Sequence, residues 1–355
     1  MKKGFIATIL CCVLCILAIP TMVRAANNKN GNCYIVTAEC PQEYIDYATE
    51  NISKYVLSID SNVEYDHFWV GKPFSFGEGS TDVFYFPIIC DGNIKYLFRV
   101  YPDEENYVAA ITEFLAKELN SLASKTSVDN PMSINRVGTK IIAIIGNEQY
   151  TLYEYPDDIS NGNSNVNSRE VQKRIIVDVK SSSDIELNLI QTRDVSKYIT
   201  LNITETQAGN NWCVAYSLAA IIRTQTTFTT SARSIAIMAL GANPSTQSTI
   251  PWNQVSTISK KFGLNPKVLN TTATNSVLTA ELNAGRPCII AMFPKSGNMG
   301  HAVVLRGYNS SGIWSIWNPW YSNYESYSMN GSYVPTGYSA SELSLTAKMH
   351  AYNFK

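Results

Sequence analysis

The sequence predicts an α+β protein. Apolar and aromatic runs of strand length flank short turn signals, as where Val83–Cys90 and Lys95–Tyr101 bracket Asp91-Gly92-Asn93. Other stretches carry apolar residues at helical spacing. In the second half of the chain helical patterns come first and strand patterns follow, instead of alternating as a parallel βαβ sheet requires.

Composition sets the outer bounds. The chain has 355 residues, 45% hydrophobic and 16% charged. That is enough apolar material for a core, and the length suits about two domains. A net charge of −1 excludes a surface built throughout for nucleic acid or anionic lipid. Three His leave little room for a multi-His metal site, and no cofactor is expected.

The first element is a targeting segment. Lys2 and Lys3 precede an apolar run from Phe5 to Ile19, and Val23-Arg24-Ala25 ends in a small residue suited to cleavage. The run is short for a membrane span, which needs about 20 apolar residues, and Pro20 and Arg24 end it. Residues 1–25 are therefore expected to be a removed signal peptide, leaving a secreted protein with no membrane contact. Cys11, Cys12 and Cys15 leave with it. Cys33, Cys40, Cys90, Cys213 and Cys288 remain, an odd number that leaves at least one thiol unpaired in a monomer. Cys33 and Cys40 either form a small disulfide or are free.

The neutral total hides a split. Residues 26–189 contain 24 Asp+Glu and 13 Lys+Arg, a net of −11; residues 190–355 contain 5 and 12, a net of +7. Two such halves attract each other. The seam is a Ser/Asn-rich stretch, Ile159–Ser168, then a strand over Val171–Val179, a Ser181-Ser182-Ser183 break and an aperiodic connector from Asp184 to Thr206. Lys180, Arg193 and Lys197 are candidate cleavage points there. Residues 26–189 are expected to form an acidic α+β domain of antiparallel strands and one main helix. That helix is placed at Asn106–Ala123, on Val108, Ile111, Leu115, Leu119 and Leu122. A second hairpin pairs Arg136–Ile145 with Glu148–Tyr155 across Gly146-Asn147. No catalytic constellation is visible in this half, and His67 reads as structural.

The back half opens with a helix capped by Asn210 or Asn211, with an apolar stripe of Ala215, Leu218, Ala219 and Ile222. Helices follow near Ser231–Leu240, Pro251–Phe262 and Ser276–Ala284, the last stopped by Gly285. Strands follow at Pro287–Phe293, Gly300–Tyr308 and Gly312–Asn318.

The chemistry lies in this half. Cys213 falls at the first turn of its helix, where the dipole favours a thiolate; a small buried Cys on a helix is the plain alternative. A Cys nucleophile needs a base, and only His301 and His350 share its half. His301 opens an apolar strand and can reach a cleft, whereas His350 reads as structural. A hairpin over Asn309–Gly312 makes Tyr308 face Ile313 and Asn318 face Val303, so Asn318 becomes a diagonal neighbour of His301 and can orient its ring. Gln207, six residues before Cys213, can supply an oxyanion donor beside the Cys213 backbone N–H, although spacing alone also fits an ordinary surface glutamine. Trp320 can cover the His301–Asn318 hydrogen bond or be plain core.

Together these segments carry a resemblance. Gln207…Asn211-Trp212-Cys213, Gly300-His301-Ala302-Val303-Val304 and Trp317-Asn318-Pro319-Trp320 resemble the active-site segments of papain-like cysteine peptidases, most nearly the staphopain group of secreted bacterial enzymes. The resemblance covers about residues 190–355, although the stretch between Cys213 and His301 departs from that group. It implies Cys213 as nucleophile, His301 as base and acid, Asn318 as orienter and Gln207 as oxyanion donor, with Trp212 and Trp320 supporting. It also implies a papain-like domain over residues 190–355, its Cys helix packed on an antiparallel sheet or half-barrel, and an inhibitory prosegment before it.

The expected partners are protein or peptide substrates and the chain's own propeptide as an intramolecular inhibitor. No nucleic acid, membrane or second copy is expected. Acyl transfer or dedicated leader-peptide processing would suit the same site, and a non-catalytic binding protein of this shape would tend to have lost the Cys or His.

Overall fold

The computed structural model describes residues 31–59, 68–77, 82–156, 173–185, 187, 196–295 and 300–355. The signal peptide, His67, the Ile159–Ser168 loop, Arg193 and the boundary between residues 189 and 190 lie outside the described residues.

In chain order the front half supplies β1 (Tyr34–Ala38), α1 (Gln42–Ile59), β2 (Phe68–Val70), β3 (Phe84–Cys90), β4 (Asn93–Asp103), β5 (Asn106–Thr112), α2 (Ala116–Ala123), β6 (Met132–Val137), β7 (Lys140–Ile145), β8 (Glu148–Glu154) and β9 (Arg174–Asp178). The back half supplies β10 (Lys197–Tyr198), α3 (Cys213–Gln225), α4 (Ala232–Leu240), α5 (Gln254–Lys260), β11 (Lys267–Leu269), α6 (Asn275–Asn283), β12 (Cys288–Pro294), β13 (His301–Asn309), β14 (Ile313–Trp317), β15 (Tyr324–Ser328) and β16 (Leu345–Tyr352). The α+β class holds. No described helix is long and apolar enough to cross a membrane.

A small sheet runs β8-β7-β6-β1-β9. Its β1–β6 pair is parallel, where only antiparallel strands were expected. A larger sheet runs β11-β16-β12-β13-β14-β15-β5-β4-β3-β2, with β10 on β13 beside this path. It crosses from the back half to the front half at β15 and β5, where Glu325 faces Thr112 and Tyr327 faces Ala110. Helix α1 covers the front strands through Ile52, Tyr55 and Val56, packed against Phe86, Phe98 and Ile111. Helices α3, α4 and α5 cover the back strands through Ala219, Ile235 and Ile258, packed against Ile289 and Val304.

Two front-half expectations change. Asn106–Ala123 is not one helix. Residues 106–112 form β5, wedged between β4 and β15, and only 116–123 is helical. Leu115 breaks the run with a positive φ of 67°. The main helix of this half is α1, which buries Tyr44, Ala48, Ile52, Tyr55 and Val56 along one face. The expected strand Arg136–Ile145 is two strands, since Gly138 turns the chain between β6 and β7 with a φ of 58°.

The seam does not simply match acid against base. Among the described residues Lys295 meets Glu104 at 3.3 Å as the charge split predicts. Two other ion pairs run the opposite way, with front-half Arg99 and Arg136 meeting back-half Glu325 and Glu342 at 3.3 and 2.9 Å. Front-half Asp82 accepts backbone N–H bonds from Ala340 and Ser341. Lys180, a candidate cleavage point, is buried and offers a protease little.

Candidate active site

Helix α3 is buried along Cys213 and Ala215–Arg223. Such a helix belongs inside a core. Its N-cap position is Trp212, not an asparagine, and no side chain caps it. Asn210 instead folds the approach, its Oδ1 accepting from Trp212 N at 3.1 Å. The Trp212 indole donates to Ser245 O at 3.1 Å, which anchors the turn before Cys213. One turn into α3, Ser217 Oγ donates to Ala302 O at 3.3 Å. That bond ties the Cys213 helix to the strand that His301 begins.

His301 opens β13 and is 2% exposed. The preceding Gly300 is required by space, because a Cβ there would lie 2.7 Å from the Phe293 ring. His301 Nε2 and Asn318 Oδ1 are 2.8 Å apart. The Trp320 ring stacks on the imidazole at 4.1 Å between centroids, and its backbone N–H donates to the same Asn318 oxygen at 3.0 Å. Trp320 therefore covers the His301–Asn318 bond, as one of its two readings expected. Burial holds the imidazole down at about 4, against a smaller upward pull from Asn318, so it is neutral near pH 7 in this state.

The hairpin register that placed Asn318 is off by one at its turn. Asn309 faces Ile313, and Tyr308 faces Trp314 instead of Ile313. A bulge between Leu305 and Gly307 takes up the extra residue. Beyond it Val304 faces Trp317, the pairing the expected register assigns, and Asn318 reaches His301.

Gln207 is buried, not a surface residue. Its backbone N–H donates to Pro319 O at 2.8 Å, which ties it to the segment carrying Asn318 and Trp320. Its Nε2 donates to Asn210 O at 2.5 Å. His350 lies elsewhere and is structural, its Nδ1 accepting from Ala273 N at 2.9 Å. Cys33 and Cys40 form no disulfide, and Cys288 forms none either. Burial pushes the Cys33 and Cys40 thiols up to about 12 and raises Cys288 as well. None of these three is disposed to act as a thiolate. Among the described residues no His/Cys/Asp/Glu cluster could hold a metal ion.

Two sets of residues escaped the sequence analysis. Front-half aromatics press on the wall beside His301: Tyr153 donates to Trp320 O at 2.5 Å, Tyr155 meets the Trp320 ring edge-on at 5.3 Å, and Phe114 stacks on Tyr321 at 4.2 Å. Behind Asn318 lies a buried polar row of Tyr333, Glu325 and Arg99. The scarcity of acids in the back half was the one signal that could have singled out Glu325.

The family described as Peptidase C39 like matches residues 197–341. Staphopain A of Staphylococcus aureus (strain MRSA252) is 22% identical over 377 residues, covering 94% of this chain and 96% of the relative. Staphopain A of strain MSSA476 is 22% identical with 88% of each chain covered. Staphopain B of strain N315 is 24% identical with 83% of each covered. A crystal structure from Bacillus anthracis described as a C39-like peptidase is 17% identical, covers 37% of this chain and 96% of that one, and has a TM-score of 0.28, too low to bear on the fold.

Proposed function

We propose that this chain, a papain-like and staphopain-like cysteine peptidase, is a secreted endopeptidase made as a zymogen and acting through Cys213, His301, Asn318 and Gln207. The observation that carries the reading is the His301–Asn318 pair at 2.8 Å under the Trp320 ring, on a strand bonded to the Cys213 helix.

The chemistry follows from the groups. The Cys213 Sγ thiolate attacks the scissile carbonyl carbon, aided by the positive end of α3. Charge moves to the carbonyl oxygen, which the Gln207 amide and the Cys213 backbone N–H stabilise as donors. His301 gives the leaving amine the proton it took from the Cys213 thiol when the thiolate formed, and a thioester remains on Cys213. His301 then takes a proton from water, whose oxygen attacks the thioester and releases the second product. Asn318 holds the ring in place throughout, and Trp320 keeps water from its hydrogen bond.

The zymogen reading rests on the aromatic contacts. Tyr153 and Tyr155 come from the front half and press on Trp320, and His301 is almost fully covered. A covered, neutral imidazole cannot hold a thiolate as its ion-pair partner. Removing the cover restores water and raises the basicity of His301. The signal sequence in residues 1–25 supports secretion.

The test is casein hydrolysis by the secreted form with its N-terminus determined by mass spectrometry. Cys213→Ala is expected to abolish hydrolysis, and the active form to begin after the connector. Full hydrolysis by Cys213→Ala overturns the peptidase reading. An active enzyme that retains residues 26–189 overturns the zymogen reading alone.

A further inference from the structure

The polar row behind Asn318 is directional, and its direction has consequences. Asn318, Tyr333, Glu325 and Arg99 have no exposed surface. Asn318 Nδ2 donates to the Tyr333 hydroxyl at 3.0 Å. That hydroxyl donates to Glu325 Oε2. Glu325 Oε1 accepts from both terminal nitrogens of Arg99, each at 3.3 Å, and Arg99 also donates to Thr336 Oγ1 at 2.5 Å.

A tyrosine hydroxyl has one proton and an ionised carboxylate has none. With Glu325 ionised, the Tyr333 proton is committed to it, and Tyr333 can only accept from its other neighbour. That neighbour must then be the amide nitrogen of Asn318, so the amide oxygen faces His301. An amide oxygen accepts only, so Nε2 of His301 carries the proton in the neutral ring. Nδ1 is left with the lone pair, the form a base needs on its other side. Each group sets the polarity of the next.

We propose that Tyr333 and Glu325 are positioning residues that fix the Asn318 amide and thereby the Nε2–H form of His301, and that in the full-length chain front-half Arg99 keeps Glu325 an acceptor. The proposal rests on the Cys213–His301–Asn318 reading above. The Trp320 N–H pins the same Asn318 oxygen, so the relay adds to a constraint already present. Burial leaves the Glu325 carboxyl raised on balance, and Arg99, Tyr333 and Thr112 offset part of that rise; the guanidinium is the one full charge among those three. Arg99 lies on β4, beyond β5, so a residue of the covering half reaches the catalytic row through the shared sheet.

Two measurements test the relay. The first is NMR of the full-length chain with nitrogen-labelled histidine, the three imidazoles being assigned with His67→Gln and His350→Gln. His301 is expected as the Nε2–H form at neutral pH; the Nδ1–H form overturns the relay, and this readout needs no variant at the site. The second is a double-mutant cycle on the activated enzyme, which has lost Arg99 with the front half and therefore reads the Tyr333 step by itself. Tyr333→Phe is expected to lower kcat roughly tenfold at unchanged KM, and less than about twofold in an Asn318→Ala background. An equal loss in both backgrounds, or none in either, overturns the positioning role. If Cys213→Ala still hydrolyses casein, the peptidase reading fails instead, and an Nδ1–H form of His301 would still overturn the relay.

Discussion

At the scale of single residues, this structure holds its two described imidazoles neutral by burying them. His301 and His350 are both pushed down from 6.5 to about 4, chiefly by burial. The sign of the stability effect follows. As pH falls below about 6.5 the unfolded chain binds protons at these positions and the folded chain does not. Their contribution is complete above 6.5, shrinks as pH falls, and is gone once the folded groups titrate near 4. Each group contributes at most about 1.4 kcal/mol per pH unit. Thermal melts of the full chain are expected to fall steadily from pH 7 to pH 4; a flat melting temperature across that window would contradict the burial argument. The placement of the candidate site residues was largely legible from their types and spacing: a Cys at a helix start, a His opening a strand, an Asn across a hairpin. Tyr333 and Arg99 were not, because a tyrosine or an arginine in an apolar strand pattern reads as packing or surface until its partner is known.

At the scale of elements, the back half followed its periodicity closely and the front half did not. Val108, Ile111, Leu115 and Leu119 satisfy a helical period, but β5 is buried between two strands and reads as a continuous apolar run under either period. Helix α1 escaped because its buried face mixes Tyr44, Ala48, Tyr55 and Ser58 with only two larger aliphatic residues, Ile52 and Val56. The β13–β14 bulge could not be read from a turn that accommodates either register. The approach to β13 is the element most sensitive to a small change. Gly300→Ala would drive a methyl group into the Phe293 ring and toward Met292 O, at 2.7 and 3.0 Å. The expected cost is about 1–3 kcal/mol of stability, with a fall in kcat because His301 is the next residue. A variant with unchanged melting temperature and unchanged casein hydrolysis would show that Phe293 yields freely.

At the scale of the whole molecule, the two halves share a sheet and an apolar core in which Leu119 and Ile141 join Ile290, Val303 and Trp320. A charge count of −11 and +7 suggested attraction between surfaces, yet the contacts include β5 on β15, aromatic packing and two ion pairs of reversed sense, of which Arg99–Glu325 is buried and Arg136–Glu342 is not. A single cut in the connector, for instance at Arg193, is therefore expected to leave the halves together. Size-exclusion chromatography of trypsin-nicked chain should show one species without casein hydrolysis, and activity should rise only as the front half is digested further. Immediate dissociation on nicking would show the shared sheet to be weak. Losing the front half also leaves β15 as a sheet edge, with backbone groups once paired to β5 open to any passing strand. Such edges template aggregation unless they are short or carry an inward charge. β15 has five residues, and Glu325 faces inward among them. Glu325 would then also guard the exposed β15 edge against pairing with copies of the same chain.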